Sequence, residues 1–363
     1  MYRSVRFDGY RGLVALELDD LARVNVIAGR NDTGKTTILE AILLLACGPF
    51  AASNALQVLR PLRNRPPVEF PWSDRDSPWS SFFHELDSSR PIVLSGVRAG
   101  RRSTITITGD PAAPQAGASV AADLSTQTAS ASVKVTVEHE GSPPVERTQR
   151  VEVHAVGGLA SAVQQMSVSM PLEPPASLDE LVKSYFVKTG VSFSIEAAYS
   201  ELRRTRRDRT LVEALQGLDP RIRGLEVLVG PSRSELHAEL DGGVVLPLSL
   251  LGDGPLMLTY HLLAMEEARG GVLLLDEVEK GMHWSVMEHL WKVLHRAATR
   301  LDVQVFATTH SDECLTAAAS AFSEQPDDLR LYRLTRGQAG LTGVAVYEQP
   351  DIVAGLSLNV DLR

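Results

Sequence analysis

The chain has 363 residues, 44% hydrophobic and 22% charged, with a net charge of −9. That composition fits a globular protein of roughly two domains, or one with a large insertion. It argues against a generic nucleic-acid binder while leaving room for a local basic patch. Two cysteines outside any C-x-x-C pattern, no run of about 18 apolar residues and no apolar leader argue against a disulfide framework, a zinc site, a membrane span and a secretion signal. A reducing cytoplasm is the expected location.

Residues 1–20 alternate polar and apolar, with Gly9 and Gly12 as punctuation and Tyr10-Arg11 at the turn, which predicts a β-hairpin. Val24 to Ala28 then reads as a short buried strand, and Thr37 to Leu45 as a helix ended by Gly48-Pro49. Between them lies Gly29-Arg30-Asn31-Asp32-Thr33-Gly34-Lys35-Thr36-Thr37, which fits G-x-x-x-x-G-K-[ST]. Strand, glycine loop and helix together make a phosphate cradle: backbone N–H groups and the helix N-terminus face the anion. Lys35 is placed to reach the β- and γ-phosphates, and the Thr36 hydroxyl to ligate Mg²⁺. The bland alternative is a Gly-rich strand–helix turn that carries a lysine.

Residues 50–90 are broken by prolines; Leu56 to Leu62 reads as a helix end and Trp79 to Leu86 as a short helix. From 91 to 158 the period becomes two, and segments at 92–94, 104–108, 133–137 and 151–154 read as an antiparallel sheet with one solvated face. The Ala/Ser/Thr-rich 110–131 reads as a mobile loop, and Pro171 to Ser177 as a boundary. Residues 178–216 read as helical. Within them Arg203, Arg204, Arg206, Arg207 and Arg209 form either a solvated helical face or a phosphate-tracking patch for nucleic acid.

The last third is apolar and α/β. Strands are expected at 226–229 and 234–239, then the Gly-containing turn Ser249 to Gly254 ahead of a helix over 256–269. Gly271 to Glu277 reads as a fully buried strand that ends in two acids, Asp276 and Glu277. Met287, Leu290, Trp291 and Leu294 mark the apolar face of the next helix. Val303 to Thr309 is a second buried strand, ending in His310, with Ser311 as N-cap of the helix that follows. Residues 329–347 read as a closing hairpin with Gly337 and Gly340 in its turn.

Apolar strands that end in acids present carboxylates at the carboxyl edge of a parallel sheet, where ligands bind. Asp276 is placed to hold Mg²⁺, directly or through water, and Glu277 to polarise the attacking water. His310 is placed to hydrogen-bond the γ-phosphate. Phosphoryl transfer needs little else beyond positioning and charge stabilisation. Alone, Asp276-Glu277 could be an acid pair complementing a helix macrodipole, His310 a capping histidine, and 249–254 merely a turn. Their conjunction with the glycine loop, in this order, favours chemistry.

The stretches 9–12, 24–42, 276–284 and 306–311 resemble the ATP-binding-cassette ATPases of the chromosome-maintenance and repair branch, and within it the overcoming-lysogenization-defect (OLD) type. The resemblance covers roughly 1–50 and 210–363. It implies an α/β ATPase head: a phosphate-loop core sheet flanked by helices (1–90 and 226–363), an antiparallel β subdomain with an Ala/Ser-rich loop (91–177) and a short lever-like helical insertion (178–225). It further implies ATP as substrate with Mg²⁺, and two heads closing face to face as a homodimer. Ser249, Gly252, Asp253 and Gly254 would then act in trans as the signature turn, and Met282-His283 as a trans-acting loop. By the same resemblance Asn31 lies near the γ-phosphate, Arg30 to Thr37 hold the nucleotide, Arg11 contacts it, and Gln57 is placed as the glutamine that follows the first helix and reaches the metal.

The 249–254 turn departs from the L-S-G-G-Q form of transporter ATPases, which weakens a transporter reading. Full-length OLD-type nucleases carry a Toprim nuclease domain after the histidine strand. Only 53 residues follow His310 here, so the expectation is an ATPase that does not cut nucleic acid itself and controls a separate effector such as a nuclease. Phage defence or genome maintenance is the implied setting. The competing readings are a RecF-like DNA-binding repair ATPase and a module that senses ATP without turnover.

Overall fold

The structure, a computed structural model, describes residues 1–48, 79–110, 124–139, 142–158, 161–169, 182–187, 194–230, 233–337, 342–358 and 360–362. They form two compact units. The first comprises Met1–Leu21, Asp32–Val182 and Leu334–Val344; the second Ala22–Asn31, Lys183–Arg333 and Ala345–Arg363.

The first unit is built on a seven-stranded antiparallel sheet. Its strands are β1 (Tyr2–Asp8), β2 (Leu16–Leu18), β4 (Ile92–Arg98), β5 (Arg101–Asp110), β6 (Leu124–His139), β7 (Ser142–Gly158) and β8 (Ser161–Ser169), in the order β2-β1-β4-β5-β6-β7-β8. Period-two patterning sets its faces: Val5, Phe7, Ile92, Leu94, Ile105, Ile107 and Val133 are buried, while Arg3 and Arg6 are exposed. The expected N-terminal hairpin is present, with Val5 opposite Leu18, and it pairs onward with β4, Val5 opposite Gly96. Helix α1 (Lys35–Cys47) lies against β4. A Cβ at Gly96 would stand 2.8 Å from the Tyr2 ring and 2.9 Å from Leu45, so this close approach of helix and sheet requires glycine.

The segment 124–131 is strand where the sequence predicts a loop: Gly109 pairs with Ala131, and Ala131 with Val151. Pairing on both sides overrides the weak strand preference of Ala and Ser. Residues 80–82 and 84–86 are single 3-10 turns. The readings at Leu56 to Leu62, Gln57, 111–123 and Pro171 to Ser177 lie outside the described residues.

The second unit centres on the parallel strands β3 (Val24–Gly29), β14 (Gln304–Thr309), β13 (Val272–Leu275) and β9 (Ser184–Val187). Together with β15 (Leu329–Arg336) and β16 (Thr342–Glu348) they form a sheet of order β16-β15-β3-β14-β13-β9. Every residue of β3, β13 and β14 is buried, as expected for a parallel sheet covered on both faces. Buried Asn25 is fully satisfied: Nδ2 donates to the Ala22 and Val305 carbonyls (2.9 and 3.2 Å) and Oδ1 accepts the Ala22 N–H (2.9 Å). Ser184–Val187 is therefore a strand inside a region that reads as helical, extended by its register with β13.

The helices of this unit are α2 (Ile195–Arg204), α3 (Arg209–Gln216), α4 (Asp253–Glu267), α5 (Met287–Leu301), α6 (Asp312–Ala321) and α7 (Gln349–Ser357). Met287, Leu290, Trp291 and Leu294 of α5 are all buried, and Ser311 Oγ caps α6 by accepting the Cys314 N–H at 3.1 Å. A three-stranded antiparallel sheet, β10 (Ile222–Val229), β11 (Ser234–Leu240) and β12 (Val244–Pro247), adjoins α2 and α3. Among the described residues no helix is long and apolar enough to cross a membrane.

Candidate functional site

The glycine loop ends in the first unit at the start of α1. Asp32 and Gly34 both take left-handed backbone, φ +64° and +99°, and this curl turns the chain into the helix at Lys35. No side chain caps α1 and no acid lies in its first turn. The first turn of the helix thus carries no acid of its own where the pattern places phosphates. The Asp32 carboxylate is ion-paired with Arg336 (2.9 Å), and Thr342 Oγ1 donates to the Thr33 carbonyl (3.4 Å). The β15–β16 hairpin thus braces the loop through two residues the sequence did not single out.

Arg11 is held by the same unit. Its guanidinium lies 5.4 Å from the Tyr10 ring centroid and 5.3 Å from that of Phe82, with Nη1 2.9 Å from Glu40 Oε2. Tyr10 Oη donates to the same oxygen at 3.2 Å. Glu40 is fully buried in α1. Arg11, expected at the nucleotide, is engaged here with Glu40. The signal for its partner is an acid inside the apolar run Ile38 to Ile42.

In the second unit, β3, β14 and β13 run parallel and finish at one edge, with Thr309 opposite Ala28 and Leu275 opposite Ala307. That edge carries Gly29-Arg30-Asn31, His310 and Asp276-Glu277. Thr308 Oγ1 organises the acids: it donates to Asp276 Oδ1 (2.8 Å) and accepts the Glu277 N–H (2.8 Å). The Val278 N–H closes onto the Thr308 carbonyl (3.1 Å). Glu277 is bent into left-handed backbone, φ +54°, a conformation costing a non-glycine residue about 1–2 kcal/mol. Its carboxylate is half exposed and 3.4 Å from Lys280 Nζ.

Glu279 is a further site residue that the sequence does not single out. Its Oε1 accepts the His310 backbone N–H (3.0 Å) and lies 3.1 Å from His310 Nδ1, while its buried Oε2 has no hydrogen-bond partner among the described residues. One carboxylate therefore fixes both the backbone and the ring of the candidate sensor histidine.

The 249–254 turn is a one-turn 3-10 helix (Leu248–Leu251), then Gly252 at φ +99°, then α4 opening at Asp253. Leu248 anchors it in the core, while Ser249 is exposed. The loop after Glu277 packs onto the start of α4: a Cβ at Gly281 (φ +74°) would stand 2.9 Å from Asp253 Cβ and 3.4 Å from Met257 Cγ. The signature-like turn and the loop through Met282-His283 are thus neighbours within the unit. Arg30 pairs with Asp361 at 3.3 Å.

Most of the arginine run is internally neutralised. Arg203 pairs with Asp208, Arg204 with Glu201, Arg207 with Glu266 and Arg209 with Glu213.

A family described as AAA domain, putative AbiEii toxin, Type IV TA system matches residues 173–316, the span that carries the 249–254 turn, Asp276, Glu277 and His310. A solved SMC head bound to the C-terminal winged-helix domain of ScpA superposes with a TM-score of 0.50 at 12% identity, covering 96% of this chain and 99% of that one. The likeness is one of fold: the chain has the α/β architecture of an SMC head. An SMC head with an extended coiled coil, bound to the C-terminal domain of ScpA derived from Pyrococcus furiosus, gives a TM-score of 0.47 at 11% identity, covering 99% of each chain. An uncharacterized protein of Methanocaldococcus jannaschii is 33% identical over 60 residues, spanning 16% of this chain and 27% of that protein. The α/β architecture expected from the sequence matches this head fold.

Proposed function

We propose that the chain is a Mg²⁺-dependent ATPase whose ATP-bound heads pair face to face and thereby control a partner effector. The observation that carries this reading is the Thr308 hydroxyl between Asp276 and the Glu277 backbone at the edge where β3 enters the glycine loop. It orients one acid as a metal ligand and fixes the backbone of the other. The start of α1, with no acid in its first turn, is the proposed anion site.

The roles follow from chemistry. Backbone amides of Asp32 to Thr37, with Lys35, take the phosphates. Asp276, as an oriented carboxylate, and Thr36, as a hydroxyl, are the oxygen donors that Mg²⁺ prefers. When bound, the ion would neutralise charge on the phosphate oxygens. Glu277 orients the attacking water and accepts its proton. His310, held by Glu279, donates to the γ-phosphate and registers its loss.

Pairing is supported by exposed apolar side chains beside the elements expected to act in trans: Leu250 is 70% exposed and Trp284 67%. The matched family's description, a putative toxin of a type IV TA system, favours a toxin–antitoxin setting. Internal neutralisation of the arginine run favours an effector protein over direct nucleic-acid binding. Sedimentation velocity with ATP and Mg²⁺ tests the pairing. The mass is expected to double with ATP and to stay monomeric for Leu250→Asp or Trp284→Ala. An ATP-independent mass would overturn the paired-head reading.

A further inference from the structure

A cavity of about 210 Å³ opens in the second unit among α2, α3, α4 and α5, at the ends of α4 and α5 farthest from the 249–254 turn and Trp284. Its floor is apolar: Leu202, Leu211, Leu262, Val293, Ala297 and Leu301. Its rim holds three arginines, Arg207, Arg296 and Arg300, and two glutamates, Glu213 and Glu266, an excess of one positive charge. Glu266 receives three guanidiniums, Arg207 (2.6 Å) and Arg269 (2.7 Å) on Oε2 and Arg300 (3.2 Å) on Oε1. Arg209 pairs with Glu213. Arg296 donates through Nε to the Lys292 carbonyl (3.2 Å) and has no carboxylate partner among the described residues.

The mouth of this apolar cavity thus carries three guanidiniums, Arg207, Arg296 and Arg300, against two carboxylates, Glu213 and Glu266, in a chain whose net charge is −9; Arg209 and Arg269 reach those carboxylates from outside the lining. A small anion alone would leave the floor unused, and an apolar molecule alone would leave the rim's charge unmatched. An apolar body with one planar anionic head satisfies both, because guanidinium forks match carboxylate geometry. An apolar cavity of about 150 Å³ holds benzene, so this one has room for a ring or short alkyl chain leading to the head at the rim.

We propose that this cavity binds a small organic carboxylate with an aromatic or short aliphatic body. The site is separate from the glycine loop and the Asp276-Glu277 edge, and its test needs no nucleotide. Calorimetric titration of the full chain with 4-phenylbutyrate, 4-phenylbutanol and 4-phenylbutylamine varies the head while holding the body constant. The acid is expected to bind at least about tenfold more tightly than the alcohol, with the amine weaker still. The surface double variant Arg296→Gln/Arg300→Gln is expected to lose that acid-over-alcohol preference. Added salt should weaken the acid and not the alcohol. Equal affinity for acid and amine, no binding of the acid, or an unchanged preference in the double variant would overturn the assignment.

Discussion

Thr308 Oγ1 donates to Asp276 Oδ1 at 2.8 Å, and the same oxygen accepts the Glu277 N–H at 2.8 Å. A single hydroxyl on β14 therefore couples the positions of both acids at the end of β13. Thr308→Val keeps the shape and removes both bonds. Each is worth about 1–3 kcal/mol where a charged or buried group is involved, so kcat for ATP hydrolysis should fall about tenfold to a hundredfold, with Thr308→Ser close to wild type. Steady-state ATPase assays check this; a Val variant as active as wild type would remove Thr308 from the mechanism.

The Gly281 contact with α4 gives a second test. Ala at this position meets both a left-handed backbone and a Cβ approach of 2.9 Å to Asp253, whereas Ala at Gly242 (φ +83°) meets open space. Gly242→Ala should cost about 1 kcal/mol from backbone strain alone, and Gly281→Ala measurably more. Thermal unfolding of the two variants compares them directly. Equal losses would show that the loop yields without disturbing the start of α4.

Arg11 and Glu40 make a buried pair beneath aromatic rings. Glu40→Gln leaves a guanidinium without its counter-charge and is expected to cost about 3–5 kcal/mol, while the double replacement Arg11→Met/Glu40→Met recovers much of that loss. Urea unfolding of the single and double variants measures the coupling. Strict additivity would contradict a direct interaction.

His261 lies fully buried in α4, and burial pushes its imidazole down to about 4 from an ordinary 6.5. The unfolded chain takes up this proton first. Stability is therefore complete above about pH 6.5 and falls between 6.5 and 4, by about 1.4 kcal/mol per pH unit from this group. In His261→Leu the loss of unfolding free energy between pH 7.5 and pH 5 should be smaller by about 2 kcal/mol. Parallel slopes in wild type and variant would assign the acid sensitivity elsewhere.

The sequence made the parallel core legible because β3, β13 and β14 are short apolar runs bounded by glycines and acids, and because the glycine loop carries its own signature. Strands whose partners lie far away in sequence were not legible. Ser184–Val187 is four residues extended by register with β13, and 124–131 is extended by neighbours on both sides despite its Ser/Ala content. Helix α7 was missed although Glu348 and Asp351 form a reciprocal capping box with Pro350 in its first turn. At the site the acids could be named but not what aims them. Thr308, Glu279 and Arg336 act through tertiary hydrogen bonds that leave no local pattern.

The central claim is tested most directly by Glu277→Gln, measured for both ATP turnover and ATP-dependent mass. The expected result is hydrolysis by wild type, turnover reduced at least about a hundredfold in the variant, and a variant that stays paired on ATP where wild type returns to monomer as ATP is consumed. Absence of hydrolysis in wild type and variant alike would contradict the account, leaving a chain that binds ATP without spending it.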